Sequence, residues 1–490
     1  MKKMNLTKNK ISMSVLLALS SSILWTNNAI AQQNENTEAA PEPEIEVIEV
    51  QGLRGSMIRA MDLKRDASGV MDVISAEEMG KFPDTNLAES LGRITGVSVS
   101  RSNGEGSEIT VRGFGPEFNL VTLNGRQMPG TGFSRSFAFE NLSSEGVSAL
   151  EIQKSARADT PTGGLGATVN IVSTKPLNNP GTQASFMAKG IYDESNVKYD
   201  DITPEIAGVL SSTLFDDTFG VSLSFSHQRR DFQKQQANIQ GWQYGEVVYG
   251  ANDAGEIVAQ AQGIGRLPSL DTTRFTDPRS VDENGERIGA HFFPKDFNYG
   301  FEDIRRERNN GQLTLQYAVS DNLTITADYT ASQSTTAVEG FGWGIWNNFG
   351  SNIIGYELDQ NGTAIYADIA GDDTSFTANK GTTEVDSRSL GFNLDWQLTD
   401  SFSMEIDYHD SSSEVDNGAD KGSGSQGQVI LGSDKLISKV YDFRGGDIPS
   451  YLINFDNGTN ELMPSEIDSN FSQFIHSPGK SEIEQLQLHF

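Results

Sequence analysis

The chain contains no cysteine among its 490 residues. That excludes a disulfide framework, thiolate metal sites and thiol catalysis. Histidine is almost as scarce. His227, His291, His409, His476 and His489 are scattered without ligand spacing, and no metal site or histidine-centred catalytic constellation can be read from them. Asp359-Gln360-Asn361-Gly362 opens like a calcium loop, but Ala370 stands where the distal glutamate is required. Basic residues number 37 against 67 acidic ones, which argues against nucleic acid as a partner. No apolar run reaches the ~20 residues that a spanning helix needs. Any membrane span must therefore be built from strands. With neither a catalytic cluster nor a cofactor motif, the chain reads as no enzyme and calls for no cofactor or metal.

The N-terminus carries an address. Lys2, Lys3, Lys8 and Lys10 precede an apolar, serine-rich stretch from Ile11 to Trp25, and Ala29-Ile30-Ala31 offers small residues for a signal peptidase. Residues 1–31 are expected to be a signal peptide. Its removal leaves 33 basic against 67 acidic residues, a net charge of −34, which suits soluble exposed loops. Residues 32–44, polar, acidic and proline-bearing, read as a disordered linker. Ile45-Glu46-Val47-Ile48-Glu49-Val50 follows, a short β-prone segment ended by Gln51-Gly52. Taken alone it is either a strand free to add to the sheet edge of a partner or the first strand of the next domain.

From about residue 182 onward, apolar and polar residues alternate in repeated short segments. The clearest run is Phe219, Val221, Leu223 and Phe225, interleaved with Gly220, Ser222 and Ser224. Leu313 to Val319, Leu323 to Tyr329, Leu390 to Leu398 and Phe402 to Tyr408 repeat it. Weaker segments near 184–192, 206–214 and 482–490 bring the count to about eight. Side chains alternate faces along a strand, so one face can meet lipid while the other meets a polar lumen. Asp216-Asp217, Ser320-Asp321-Asn322 and Thr399-Asp400-Ser401 make tight turns, whereas 230–310, 331–387 and 411–480 are long. Short and long connections in strict alternation are the loop order of an outer-membrane barrel, which a soluble β-sandwich does not require.

Residues 53–176 differ and read as a compact α/β domain. Ser75-Ala76-Glu77-Glu78 fits a capping box opening a helix, and Asn86 to Ile94 predicts a second one closed by Gly96. Strand-like pieces follow at 97–100, 109–112, 120–123 and 168–173, with a tight-turn signal at Asn124-Gly125. Gly163-Gly164-Leu165-Gly166 lacks the lysine and hydroxyl of a phosphate loop and is expected to be a close backbone turn.

Four separated runs carry a resemblance. Phe82-Pro-Asp-Thr-Asn-Leu-Ala-Glu-Ser-Leu-Gly-Arg-Ile-Thr-Gly-Val-Ser-Val is the first, and Ile109-Thr-Val-Arg112-Gly113-Phe-Gly the second. The third is Asn119-Leu-Val-Thr-Leu-Asn124-Gly125-Arg126, and the fourth runs from Arg157 through Gly163, Gly164 and Gly166 to Ile171. In that order they resemble the plug of TonB-dependent outer-membrane receptors, particularly the large-plug branch common in proteobacteria. The resemblance implies a plug at 53–176, a TonB box at 45–52 and a transmembrane antiparallel β-barrel over 182–490. It also implies a place in the Gram-negative outer membrane, with TonB of the inner membrane as partner. An extracellular small ligand would bind long loops and the plug apex, and force from the proton gradient would then displace part of the plug.

Three tryptophans, Trp242, Trp343 and Trp346, with Tyr244, fall in the predicted external loops. They are candidate ligand contacts, since aromatic faces stack on sugar rings or aromatic chelators. The alternative is that they pack the loops together or mark the interface belt. The plug branch favours an oligosaccharide over a ferric siderophore. Receptors of this family resemble barrels of roughly 22 strands, while an eight-stranded barrel is nearly filled by its own side chains. The expectation is therefore a partial barrel, the N-terminal portion of a longer receptor.

Overall fold

The computed structural model describes residues 53–75, 86–130, 134–142, 144, 146–158, 160–245, 247–251, 257–261, 291–346, 352–361, 363–370, 374–417, 426–457, 459 and 461–490. The expected signal peptide, linker and TonB box lie outside these residues.

The N-terminal domain starts with α1 (Leu53–Asp66), β1 (Met71–Ser75) and α2 (Leu87–Leu91). A hairpin of β2 (Val97–Ser102) and β3 (Glu105–Val111) follows, then β4 (Leu120–Leu123), β5 (Arg126–Gln127), β6 (Val147–Gln153) and β7 (Thr168–Ser173). Five of these strands form a mixed sheet in the order β1-β6-β7-β4-β5, with β4 and β7 parallel. Leu87, Leu91, Ile109, Val111, Leu150, Ile152, Val169 and Ile171 close the core between sheet, hairpin and α2. Each such buried side chain contributes about 1.5–3 kcal/mol of transfer free energy.

One local expectation lies outside the described residues and one changes. Ser75 is the last residue of β1, paired with Ala149, and the helix expected to open after it lies outside the described residues. The helix capped by Asn86 ends at Leu91, earlier than expected. The Asn86 side chain accepts from Glu89 N at 3.2 Å, but Ile94 N already donates to Leu91 O in a tight turn, and Gly96 turns left-handed at φ +79.

The second part is dominated by a large antiparallel sheet. It begins with β8 (Thr182–Tyr192), β9 (Ile202–Leu214) and β10 (Phe219–Asn238). Short paired strands follow, β11 (Trp242–Gly245) with β14 (His291–Pro294) and β12 (Val247–Ala251) with β13 (Ile257–Ala261). Then come β15 (Asp296–Ser320), β16 (Leu323–Trp346), β17 (Asn352–Leu358), β18 (Ala364–Ala370), β19 (Thr374–Thr399) and β20 (Phe402–Asp416). Last are β21 (Gln426–Gly432), β22 (Leu436–Asp442), β23 (Ser450–Phe455), β24 (Asp468–Ile475) and β25 (Gly479–His489). The sheet runs β8-β9-β10-β15-β16-β19 and then divides. The lower half of β19 pairs β20, which pairs β25, while its upper half pairs β21, which pairs β24. It has ten strands rather than about eight, and among the described residues β8 and β25 do not meet, so no closed barrel forms.

Alternation sorts its two faces. Leu223, Phe225, Leu313, Tyr317, Ile325, Tyr329, Leu390 and Phe392 project outward and stay exposed. Ser222, Ser224, Thr314, Gln316, Thr326, Ser389 and Ser411 are buried on the inner face against the plug. An apolar outer band over a polar interior is the reverse of a soluble protein and fits lipid outside.

The strands outrun the sequence reading. β15, β16 and β19 have 25, 24 and 26 residues. At about 3.3 Å per residue they exceed twice the hydrocarbon thickness of ~30 Å. Much of 230–310, 331–387 and 411–480, expected as loop, is therefore strand standing beyond the membrane. There the outer face no longer meets lipid: much of it is polar, and at the top Phe297 and Tyr299 pack into a second apolar cluster with Phe293, Ala367, Ile369 and Tyr441, so the period-two apolar signal is interrupted.

Candidate functional site: the seat and apex of the plug

Plug and wall are joined by two buried ion clusters. The first centres on Arg126, which follows the turn Asn124-Gly125, where both residues have positive φ, +54 and +82. Its guanidinium is 2% exposed and donates from Nη1 to Asp328 Oδ2 on β16 at 2.6 Å and from Nε to Asp407 Oδ1 on β20 at 2.7 Å. One plug side chain thus joins two wall strands that are not neighbours in the sheet. Room for it is made by Gly391 on the intervening β19, where an added Cβ would lie 1.6 Å from Nη1. His409, fully buried beside them, shares a hydrogen bond with Ser389 at 3.2 Å.

The second cluster centres on Glu105, at the start of β3 just past the hairpin turn Asn103-Gly104. Its carboxylate meets three wall arginines. Arg230 Nη1 on β10 is 2.8 Å from Oε1, Arg306 Nη2 on β15 is 2.5 Å from Oε1, and Arg308 Nη2 pairs with Oε2. Burial on its own would raise this carboxyl's pKa, but the charges of Arg308, Arg306 and Arg230 outweigh it and hold Glu105 below the ordinary value of 4.5. Arg308 also donates to the Glu140 carbonyl, and Ser332 to that of Asn141. Beside the Arg126 cluster, Gln127 N donates to Gln485 Oε1 at 3.2 Å and Gln487 donates to Gly125 O at 3.3 Å.

Beside the hairpin tip lies a cavity of about 410 Å³. Asn103 closes it from the plug, and Glu302, Ile304, Asn379, Thr383 and Gln428 line it from the wall. Glu302 is balanced by Lys234, 3.6 Å away. Amide and hydroxyl groups of this kind suit a hydroxyl-rich solute.

The aromatic candidates are not brought together. Trp343 and Trp346 sit three positions apart on β16 and so point to opposite faces. Trp343 shares the outer face with Tyr299, Phe301 and Phe341, and these four line a cavity of about 630 Å³ with Gln235 and Gln236. It stacks on Tyr299 and meets Tyr451 edge-on, with its indole N–H donating to Thr374 at 2.9 Å. Trp346 donates to Ser375 on the inner face at 3.0 Å. Trp242 is half-exposed and stacks on Phe443. Tyr244 lies in β11, opposite Phe292.

The other motif residues shape the plug itself. Arg112, at φ +53 beside Gly113 at φ +83, donates to Gly166 O at 2.6 Å, tying the second run to the glycine loop. Gly166 cannot carry a side chain there, since its Cβ would lie 2.4 Å from Asn119 Oδ1. Gly163 holds a positive φ of +128, and Gly164 packs against the backbone of Ala167. Sequence reasoning found Arg126 but not its partners. It missed Glu105 and the three arginines altogether, because a charged residue within a polar strand carries no mark of what it will face.

Residues 63–168 match the family model described as the TonB-dependent receptor plug domain. No curated protein matches the chain. Among solved structures, a mutant of the ferric enterobactin receptor PfeA of Pseudomonas aeruginosa is similar at 11% identity and a TM-score of 0.36, over 88% of this chain and 60% of that one. The outer membrane transporter YddB of Escherichia coli is similar at 11% identity and 0.33, over 79% and 57%. The siderophore receptor PirA of Pseudomonas aeruginosa is similar at 13% and 0.28, over 86% and 80%. The chain spans less than two thirds of the length of the first two. The family assignment rests on the plug, with its motif residues in their turns and its seat against an antiparallel sheet that is apolar outside and polar inside. By that match residues 63–168 are a TonB-dependent receptor plug domain, a domain of Gram-negative outer-membrane proteins.

Proposed function

We propose that this receptor imports a scarce, hydroxyl-rich ligand, an oligosaccharide, with energy delivered by TonB from the proton gradient of the inner membrane. The observation that carries the reading is the plug seat. The domain is held to the wall by discrete ion clusters rather than by a continuous apolar interface, so a pull can release it locally without unfolding the sheet. An outer membrane has neither nucleotide nor ion gradient of its own, so work must arrive by mechanical contact. The segment Ile45-Glu46-Val47-Ile48-Glu49-Val50 is the proposed handle, a strand that adds to TonB's sheet. Cargo would enter at the amide-lined cavity beside Asn103, and the Trp343 cavity on the outer face would serve as a first-contact surface for sugar rings. The ten-stranded sheet is proposed as part of a larger closed barrel, because its inner face holds a whole plug domain while its edge strands do not meet among the described residues.

Deleting residues 45–50 is expected to leave ligand binding intact and abolish uptake. Equal uptake by the deletion strain, or uptake that persists when a protonophore collapses the gradient, would favour a passive pore with a static stopper.

The arginine cluster favours a second reading of the cargo, a ferric siderophore. Such chelates are commonly anionic, and three guanidinium groups face the plug apex.

A further inference from the structure

The Glu105 cluster holds more cation than its direct contacts satisfy. Arg306 and Arg308 are each about nineteen-twentieths buried, and both converge on the one carboxylate of Glu105. Arg230 has a second partner, Asp193 at 3.0 Å. Glu140, the other nearby carboxylate, adds its charge near Arg306 and accepts from the Ser107 hydroxyl at 2.8 Å, but its second oxygen is buried without a hydrogen bond and it meets Arg308 through its backbone carbonyl. The Nε–H groups of Arg306 and Arg308 are buried with no acceptor. A buried guanidinium donor without an acceptor is costly, and planar guanidinium groups prefer bidentate carboxylate partners. The wall is therefore built to hold more anionic oxygen than Glu105 provides. The cavity beside the hairpin comes near the cluster without being lined by it: its lining includes Asn103, two residues before Glu105, and Ile304, two residues before Arg306 on the same strand face, so a ligand there reaches the arginines only as the hairpin gives way.

We propose that Arg230, Arg306 and Arg308 form an anion site on the inner wall, that Glu105 occupies it as an internal stand-in, and that a carboxylate carried by the cargo competes with Glu105 for it. Arrival of the cargo then loosens the β2–β3 hairpin at the plug apex, and binding reports itself to the plug before any force is applied. The inference rests on the proposed import function and specifies its ligand as carboxylate-bearing. Two sources share that chemistry, an oligosaccharide of hexuronic acid and a ferric chelate of a carboxylic acid.

The test is equilibrium binding to the purified full chain of three probes: a hexuronate trimer, its neutral methyl ester and ferric citrate. In Glu105→Gln the competitor is gone, and the carboxylate probe that matches the cargo is expected to bind on the order of tenfold more tightly than in wild type. The neutral ester should be unaffected. Adding Arg306→Gln and Arg308→Gln should erase the gain, and Glu105→Asp, with a retracted carboxylate, should fall between wild type and Glu105→Gln should the latter fold poorly. Which acid gains separates the glycan from the ferric chelate. Carboxylate probes that bind equally to wild type and Glu105→Gln, or to neither, overturn the site. Binding is scored without energy, so uptake that continued after collapse of the proton gradient would reject the energy-coupled reading and leave the anion site standing.

Discussion

Arg126 shows how a single residue can carry a domain contact. Its two carboxylate partners are almost fully buried, so Arg126→Ala leaves two charges without a counterion, and losses of about 3–5 kcal/mol are typical of breaking such a buried arrangement. Faster hydrogen exchange confined to the plug would register this, whereas unchanged plug protection would show that the plug is held elsewhere. Gly391→Ala attacks the same contact from the wall and is expected to cost about 1–3 kcal/mol, the range for overpacking. In an Arg126→Ala background the added methyl meets empty space, so the double mutant should lose little more than Arg126→Ala alone. Strict additivity of the two would place the cost of Gly391→Ala somewhere other than Arg126. Glu105 adds a pH dependence. Its carboxyl titrates below the ordinary 4.5 in the folded chain, so its contribution is complete above that value and is lost as pH falls through the lower folded one. Proteolytic sensitivity of the β2–β3 hairpin should rise on acidification below about 4.5 and stay level in Glu105→Gln; identical curves would dismiss Glu105 as the group responsible.

Among the elements, the long strands divide their work by height. Near the short turns, β10 and β15 alternate Leu223 and Leu313 outward with Ser224 and Gln312 inward. Leu223→Arg puts a charge on the lipid face, where the cost near the midplane is about 2–4 kcal/mol. The neighbouring Ser224, inner-facing, should accept threonine with far less effect. Folding yield into lipid vesicles compares the two, and equal yields would contradict the assigned faces. Higher up, the same strands carry the wall arginines and then the aromatic cavity. Trp343 and Trp346 must be tested separately because they face opposite sides of β16. Trp343→Ala is expected to weaken glycan binding by roughly 1 kcal/mol, the scale of one aromatic stacking contact. Unaltered affinity would reduce Trp343 to a packing residue between Tyr299 and Tyr451.

At the scale of the molecule, the proposed transport requires the plug to move relative to the wall, and the absence of native cysteine allows a direct test. Gln127 and Gln485 touch across the interface. A Gln127→Cys, Gln485→Cys pair joined by a short thiol cross-linker is expected to bind ligand normally and to lose uptake, with uptake restored when the link is cleaved. Full uptake with the link intact would mean that this side of the plug stays in place during passage.

Some of this was readable from local chemistry. Strand periodicity survives wherever one face meets lipid, which is why Phe219 to Phe225, Leu313 to Val319 and Phe402 to Tyr408 announce themselves. The turn at Asn124-Gly125 and the glycine loop are equally local, since positive φ and close approach select residue types directly. What the sequence by itself determined, then, is the class of the plug and of the lipid-facing strand segments, the sidedness of those segments and the plug motifs, but not the extent of the strands beyond the membrane. Only the tertiary structure decided which charges meet. Glu105 lies 201 and 203 positions from Arg306 and Arg308, and Arg126 lies 281 from Asp407. An ion pair imposes no period on the chain around it, and polar strands beyond the membrane look the same on both faces. Partner choice in such strands is settled by sheet register and plug docking, neither of which leaves a local trace.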